Sequence, residues 1–334
     1  MEASMLYPIY TVYVISGGIK YNVTPALSGI NTSSTKKQMA QSVTIQLMNV
    51  KVGNGWLTDI LNVRDRVFIY ANDGTREDEV FRGYIWTRSS KSSVSTRDIQ
   101  IKCYTNLIYF QESEESAFYA SGKSTRAVCQ SLCDNWGVKL QYSYESITHA
   151  KLVLRGKLSD IFTEDILNLV KERTGKKYVI LSEKDIICIK PVGSNSTIYH
   201  FRSGKDTTQT YSECTMDGMV TKVIIVGKAD DEEREPIEAT VSGKTSQYGT
   251  LQKIIDRSEN TSLEDAKKEA QSIIDENGTP KYEDEIRTID IPWVQLGDKV
   301  YVDAGSIKGY RIVTGIDRSI DNKHKEMTLT LEQL

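Results

Sequence analysis

Val63-Arg64-Asp65-Arg66-Val67-Phe68-Ile69-Tyr70-Ala71 and Leu296-Gly297-Asp298-Lys299-Val300-Tyr301-Val302-Asp303-Ala304 carry one pattern twice in the same chain. Asp65 matches Asp298, Val67 matches Val300 and Ala71 matches Ala304, with a basic residue after each aspartate. Alternation of period two puts one apolar set on one face of a strand. Each copy is followed by a hairpin-like turn and a glycine-bearing strand, Val80-Phe81-Arg82-Gly83-Tyr84-Ile85 and Arg311-Ile312-Val313-Thr314-Gly315-Ile316. Each then closes on an alternating strand, Ile99-Gln100-Ile101-Lys102-Cys103 against Met327-Thr328-Leu329-Thr330-Leu331. Three elements in the same order predict two copies of one β-module.

Around the first copy, Tyr10 to Gln111 reads as strands, with alternation in Ser42–Met48 and Asp98–Cys103 and turns at Gly17-Gly18 and Asp73-Gly74. The texture changes at Glu112 to Lys123, acidic and Ser-rich. A helix is expected from Ser124 or Thr125 to Gly137, capped by hydroxyl and glycine. A second is expected over Ile161–Thr174, with Ile166, Leu167, Leu169 and Val170 inward and Gly175 as its stop, and then a strand pair, Lys177–Leu181 and Ile186–Lys190. Strand texture returns at Met219–Gly227, and the charged run 230–234 reads as a solvated hairpin tip. A third helix, Ser262–Glu276, places Ala266, Ala270, Ile273 and Ile274 together. Strands are expected at Ile286–Ile291, Lys299–Asp303, Tyr310–Asp317 and Glu326–Leu331. The expected class is α+β, mainly β. Its parts are a first β-module at 1–112, a small α/β domain at 113–200, and a second β-module at 201–334 with a helix inserted at about 262–277.

The 334 residues are enough for two or three cores, and 39% hydrophobic with 26% charged is a globular balance. Lys plus Arg number 42 against 45 Asp plus Glu, so there is no net positive field for nucleic acid or anionic lipid. Met1 to Tyr10 carries Glu2 and Pro8 where a secretory signal needs a basic and then apolar start, and no apolar run approaches the ~20 residues of a membrane span. The five cysteines (Cys103, Cys129, Cys133, Cys188, Cys214) lack CxxC spacing and read as buried thiols, Cys129 and Cys133 sharing a helix face.

Ser121-Gly122-Lys123-Ser124-Thr125 has the end of a phosphate loop, but Ala117 stands where its first glycine is needed, so Ser124 is read as a cap. His149, His200 and His324 are far apart in polar or turn-like contexts and read as surface or loop residues. Nucleophile-elbow, zincin and dinucleotide patterns are absent. Glu112, Glu114 and Glu115, or Glu283, Asp284 and Glu285, would be the carboxylates for glycoside cleavage, yet they sit in charge runs where solvation is the commoner cause. The 18 tyrosines, with Tyr70, Tyr84, Tyr104 and Tyr109 expected on strands, suit protein interfaces. No catalytic, cofactor-binding or metal residue is assigned.

Thr245-Ser246-Gln247-Tyr248-Gly249-Thr250-Leu251-Gln252-Lys253, Gly156–Ile161 followed by Glu172–Tyr178, and the Ala-rich helix leading to Leu296–Val300 resemble the XkdQ/YqbQ-like baseplate hub proteins. These are phage late-control-D-like proteins of contractile phage tails and of R-type bacteriocins. The resemblance spans nearly the whole chain and contains no catalytic residue. It implies tail-tube-like β-barrels flanking the α/β domain, and a homotrimer whose six barrels meet a hexameric tail tube above and a trimeric central spike below. It also implies baseplate wedge and LysM-type tail proteins as further partners, and no membrane or sequence-specific nucleic-acid binding. The expected site of action is the cytoplasm of the producing bacterium during assembly and then the baseplate of the released particle. The competing expectations are a tail-associated cell-wall hydrolase and a surface-glycan-binding module.

Overall fold

The computed structural model describes residues 7–53, 55–92, 97–228, 235–257 and 262–334, so the charged run 230–234 lies outside the described residues. The first strands are β1 (Ile9–Ser16), β2 (Ile19–Asn22), β3 (Leu27–Thr35), β4 (Ser42–Met48), the short pair β5 (Lys51–Val52) and β6 (Gly55–Trp56), then β7 (Arg66–Asn72), β8 (Glu77–Ser92) and β9 (Arg97–Tyr104). Next come β10 (Glu114–Tyr119), β11 (Lys139–Tyr142), β12 (Leu152–Lys157), β13 (Tyr178–Glu183) and β14 (Ile186–Pro191). The remainder is β15 (His200–Arg202), β16 (Thr207–Thr215), β17 (Lys222–Val226), β18 (Ile237–Ser242), β19 (Gln252–Asp256), β20 (Lys281–Ile289), β21 (Lys299–Ala304), β22 (Ile307–Asp321) and β23 (Lys325–Gln333).

Alternation is realised as burial: Val43, Ile45 and Leu47 of β4, Val67, Ile69 and Ala71 of β7, and Ile99, Ile101 and Cys103 of β9 fill one core. Val300, Val302 and Ala304 of β21 with Met327, Leu329 and Leu331 of β23 fill its counterpart. The fold is mainly β, as expected, and both modules belong to one sheet in the order β16-β20-β23-β22-β3-β4-β9-β8-β7-β1-β2, with β21 and β15 branching from β22. No pairing among the described residues closes either module into a ring of strands. The modules are joined because β22 is long: its first half pairs β21, and its second half pairs β3 from Gly315↔Thr35 to Asp321↔Gly29.

Between the two, the helix Thr125–Asn135 starts where expected, the Ser124 hydroxyl accepting from the Ala127 amide at 3.2 Å. The second helix begins earlier than expected, at Leu158, and contains a π segment, Ile161–Leu167. Ile161 to Ile166 and Phe162 to Leu167 are each five apart, and an i→i+5 turn brings all four inward. Gly175 then stops the helix with φ +69°. β11 pairs β14 in parallel and β13 pairs β14 antiparallel across Lys184-Asp185, both at positive φ.

The chain divides into two compact units, 1–211 with 285–334, and 212–284. The insertion in the second module is thus larger than a helix. In unit 212–284, β17 lies between antiparallel β18 and parallel β19. The helix Leu263–Asn277, capped by Ser262 on the Asp265 amide at 3.1 Å, packs Ala266, Ala270 and Ile274 against Val223 and Ile225.

Candidate assembly surfaces

The repeated motif builds the same corner twice. The Asp65 carboxylate accepts from the Asn62 amide at 2.7 Å, and the Asp298 carboxylate from the Gln295 amide at 2.9 Å. Arg64 (φ +71°) and Gly297 (φ +81°) both turn left-handed. The Arg64 amide donates to the Ile85 carbonyl and the Ile85 amide to the Asp65 carbonyl, at 2.7 and 2.9 Å; Gly297 and Val313 repeat this at 2.8 and 2.9 Å. A bulge follows each, at Trp86 and at Thr314. Val67↔Gly83 and Val300↔Arg311 are the paired residues, so Gly83 corresponds to Arg311, and Gly315 to Thr87. The two strand glycines therefore do not match each other, because the hairpin before β8 is longer than the one before β22. Farther along, the Asn49 amide bonds the Arg97 carbonyl at 2.8 Å, as Asp290 bonds Lys325 at 3.0 Å, making β4 the counterpart of β20.

A buried polar joint ties the modules. The Tyr10 hydroxyl on β1 donates to the Asp290 carboxylate, which also accepts from Arg318 Nε at 3.0 Å. A guanidinium nitrogen of Arg318 donates to the Val294 carbonyl at 2.7 Å. Burial, and then the Asp290 charge, pushes the Tyr10 hydroxyl far up, so it stays protonated and donating. Nearer the surface, the Trp293 indole donates to Asp73 at 2.7 Å while the Arg76 guanidinium stacks 4.2 Å over its ring. That indole bond, followed by Thr75 and Arg76 amides, holds the Asp73 carboxyl well below the usual carboxylate range. The α/β part is pinned by its Lys184-Asp185 turn: Arg66 reaches Asp185 at 2.5 Å, Lys184 reaches Asp78 at 3.0 Å, and the Asn106 side-chain amide donates to the Asp185 carbonyl at 2.9 Å.

The residues weighed for chemistry do not converge. The Gly122 amide is spent on the His149 carbonyl at 3.0 Å, and the Thr125 hydroxyl lies 2.8 Å from His149 Nε2, so no anion cradle forms. His149 lies in a loop but is buried, a correction to its surface reading, and burial, then Arg173, pushes its pKa down. His200 and His324 are exposed. Cys103, Cys129, Cys133 and Cys188 are buried, but Cys214 is exposed on β16, whose outward positions are open to solvent. Glu112 and Glu114 face solvent and Glu115 accepts the Trp136 indole at 2.9 Å. Asp284 is buried and accepts from Ser212 at 2.5 Å, while Glu283 and Glu285 are exposed. Tyr109 sits on the short helix Ile108–Glu112 and not on a strand, in edge contact with Tyr84 and Trp86. Among the described residues no three His, Cys, Asp or Glu are placed to hold a metal, and no helix is long and apolar enough to cross a membrane.

What the unit 1–211 with 285–334 does offer is surface. A cleft of about 580 Å³ is lined by Glu79, Arg82, Lys184, Asp298 and Arg318 among others, but its charges are largely paired within the chain, Arg82 with Glu79 at 2.7 Å for one. The sheet face opposite the cores is polar, with hydroxyls and amides such as Asn31, Ser33, Thr44, Ser319 and Thr328 and the charged Glu285, Arg287, Asp317 and Glu326 around a shallow trough. Open strand edges of the sheet include the second half of β8, residues 86–92, exposed throughout, and the outer side of β16, one of its two terminal strands.

The model of a family described as YQBQ-like matches residues 30–332. Among solved structures, a 43 kDa tail protein of prophage MuSo2 from Shewanella oneidensis is 12% identical at TM-score 0.74, covering 97% of this chain and 98% of its own. A tail protein from Neisseria meningitidis is 12% identical at TM-score 0.70, covering 97% and 96%. The E. coli c3393 protein, described as a type VI secretion system component similar to the T4 phage tail proteins gp27 and gp5, is 10% identical at TM-score 0.58, covering 97% and 76%. No curated protein matches the chain.

Proposed function

The chain belongs to the YQBQ-like family, and we propose that it is the baseplate hub of a contractile tail-like particle, a non-enzymatic adaptor between a hexameric tail tube and a trimeric central spike. The observation that carries this reading is the repeated corner at Asp65 and Asp298, which makes one chain hold two modules of one strand plan. Three such chains present six equivalent modules to a sixfold tube while keeping threefold symmetry towards a spike. The fold shared with prophage tail proteins and the family match support a tail role. The division into modules at 1–112 and 201–334 around an α/β domain at 113–200 is part of the proposal. The polar sheet face suits the wall of a lumen, since hydroxyls, amides and charges of both signs, Arg287 paired with Glu326 among them, offer a passing polymer no apolar patch. Tube, spike, wedge and LysM-type tail proteins are the proposed partners, met during cytoplasmic assembly and kept in the released particle.

Immunogold electron microscopy with an antibody to this chain, on particles released from producing cells, tests the reading. Label at the baseplate end of contractile tails, strengthened by partial disassembly, is the expected result. Particles free of the chain would overturn it.

A further inference from the structure

Each module has one strand edge that gives and one that receives. Within the chain, β3 of the first module lies along the second half of β22, from Gly315↔Thr35 to Asp321↔Gly29. The counterpart of β22 is β8, in which Ile85 stands for Val313 and the bulge after it recurs. The second half of β8 pairs β9 on one side, and on the other side its β7 pairing ends at Tyr84↔Arg66. The counterpart of β3 is β16, the strand beside β20 as β3 is beside β4, and it ends the sheet. One chain therefore contains a single completed seam and one unfilled edge of each kind.

We propose that β16 of a second copy of this chain pairs with the second half of β8, in the register in which β3 pairs with β22. This deepens the hub reading and rests on it for the closed ring of copies. Such a contact is head-to-tail, each copy using a different surface on its two sides, which builds rings. The register follows from geometry already in the chain. Asp290 corresponds to Asn49, so Asp284 corresponds to Val43; the Ser212 hydroxyl bonds the Asp284 carboxylate as the residue opposite it, and Thr32 opposes Val43, which sets Ser212 in the place of Thr32 and Tyr211 in the place of Asn31. Lys91 stands where Ser319 stands, and Ser319 opposes Asn31, so Lys91 faces Tyr211 and, one step on, Ser92 faces Thr210. The residues differ from the internal seam in a way that fits a joint between chains. Ile316, Arg318 and Ile320 are buried in β22, whereas their counterparts Arg88, Ser90 and Ser92 are exposed. A polar edge with Arg88 and Lys91 keeps an unassembled chain from unspecific strand addition, while leaving its backbone groups for a matched partner.

Disulfide trapping tests the seam in the full chain, with the exposed Cys214 replaced by serine. Facing Cα atoms of an antiparallel pair lie about 4.5–5.5 Å apart, within the span of a disulfide. Chains bearing Lys91→Cys are mixed with chains bearing Tyr211→Cys and oxidised; Ser92→Cys with Thr210→Cys is an independent second pair. Expected is a covalent dimer in each mixture and in neither variant alone, with Glu77→Cys, on the half of β8 covered by β7, giving none. Like-with-like dimers would overturn the seam in favour of a twofold contact. An assembled oligomer by mass photometry with no disulfide from either pair would overturn the seam and leave an oligomeric hub standing. Monomer throughout, with no disulfide, would overturn both.

Discussion

Single residues join the two modules, and their charges set how the joint responds to acid. Asp73 has its carboxyl lowered by the Trp293 indole, so its contribution is present above the unfolded carboxylate value of about 3.9 and lost as pH falls below it. Trp293→Phe should therefore be less stable than the parent by about 1 kcal/mol at pH 7, the half-buried site moderating the effect, and the deficit should shrink between pH 5 and pH 2. Urea unfolding followed across that range checks it; a deficit constant with pH would mean that ring packing, not the carboxylate, is what Trp293 supplies. At the buried joint, Asp290→Asn leaves the Arg318 guanidinium without its counter-charge and should cost ~3–5 kcal/mol. Tyr10→Phe removes only a neutral donor and should cost ~1–2 kcal/mol, a contrast readable in the two denaturation midpoints. The matched aspartates of the repeated motif were visible in the sequence because a carboxylate folding back on an amide three residues earlier leaves a local signature. Tyr10, Asp290 and Trp293 were not, since their partners lie far off along the chain. Cys214 and His149 read wrongly for a related reason: exposure is decided by which strand ends the sheet and which loop crosses a helix start.

At the scale of elements, strand texture carried most of the legible information. Ser42–Met48 is a strand with the predicted ends, and Ser124 and Ser262 cap the helices assigned to them. Pairing geometry was less legible. Gly83 and Gly315 seemed to match, yet each answers a different need. A Cβ on Gly83 would meet the Tyr104 carbonyl oxygen at 2.1 Å, a backbone wall that no rotamer change relieves. Gly83→Ala should accordingly cost about 3 kcal/mol or more and loosen the β8–β9 ladder. Amide exchange measured along Ile85 to Cys103 would register this, and unchanged protection there would refute it. The π segment at Ile161–Leu167 escaped notice because a helical reading assumes a period of 3.6, and apolar residues five apart were absorbed into the same face.

For the whole molecule, the repeated strand pattern was legible and the compact unit at 212–284 was not. The helix expected at about 262–277 is present at Leu263–Asn277, and it belongs to a compact unit of residues 212–284. Sequence shows the elements of such an insertion but gives no sign of where a strand resumes its old partner. Resumption also governs how the protein comes into being. β3 (Leu27–Thr35) emerges from the ribosome well ahead of its partner β22 (Ile307–Asp321). At ~5–20 residues per second of translation, the early strand waits on the order of tens of seconds for its mate. Ribosome-bound chains ending before Ile307 should show little amide protection along β3 and should recruit chaperones there; a β3 already protected in such chains would refute this order. The tie between β3 and β22 thus acts as a completeness check: a translation product cut short before Ile307 lacks the strand that pairs with β3, and is left open to degradation.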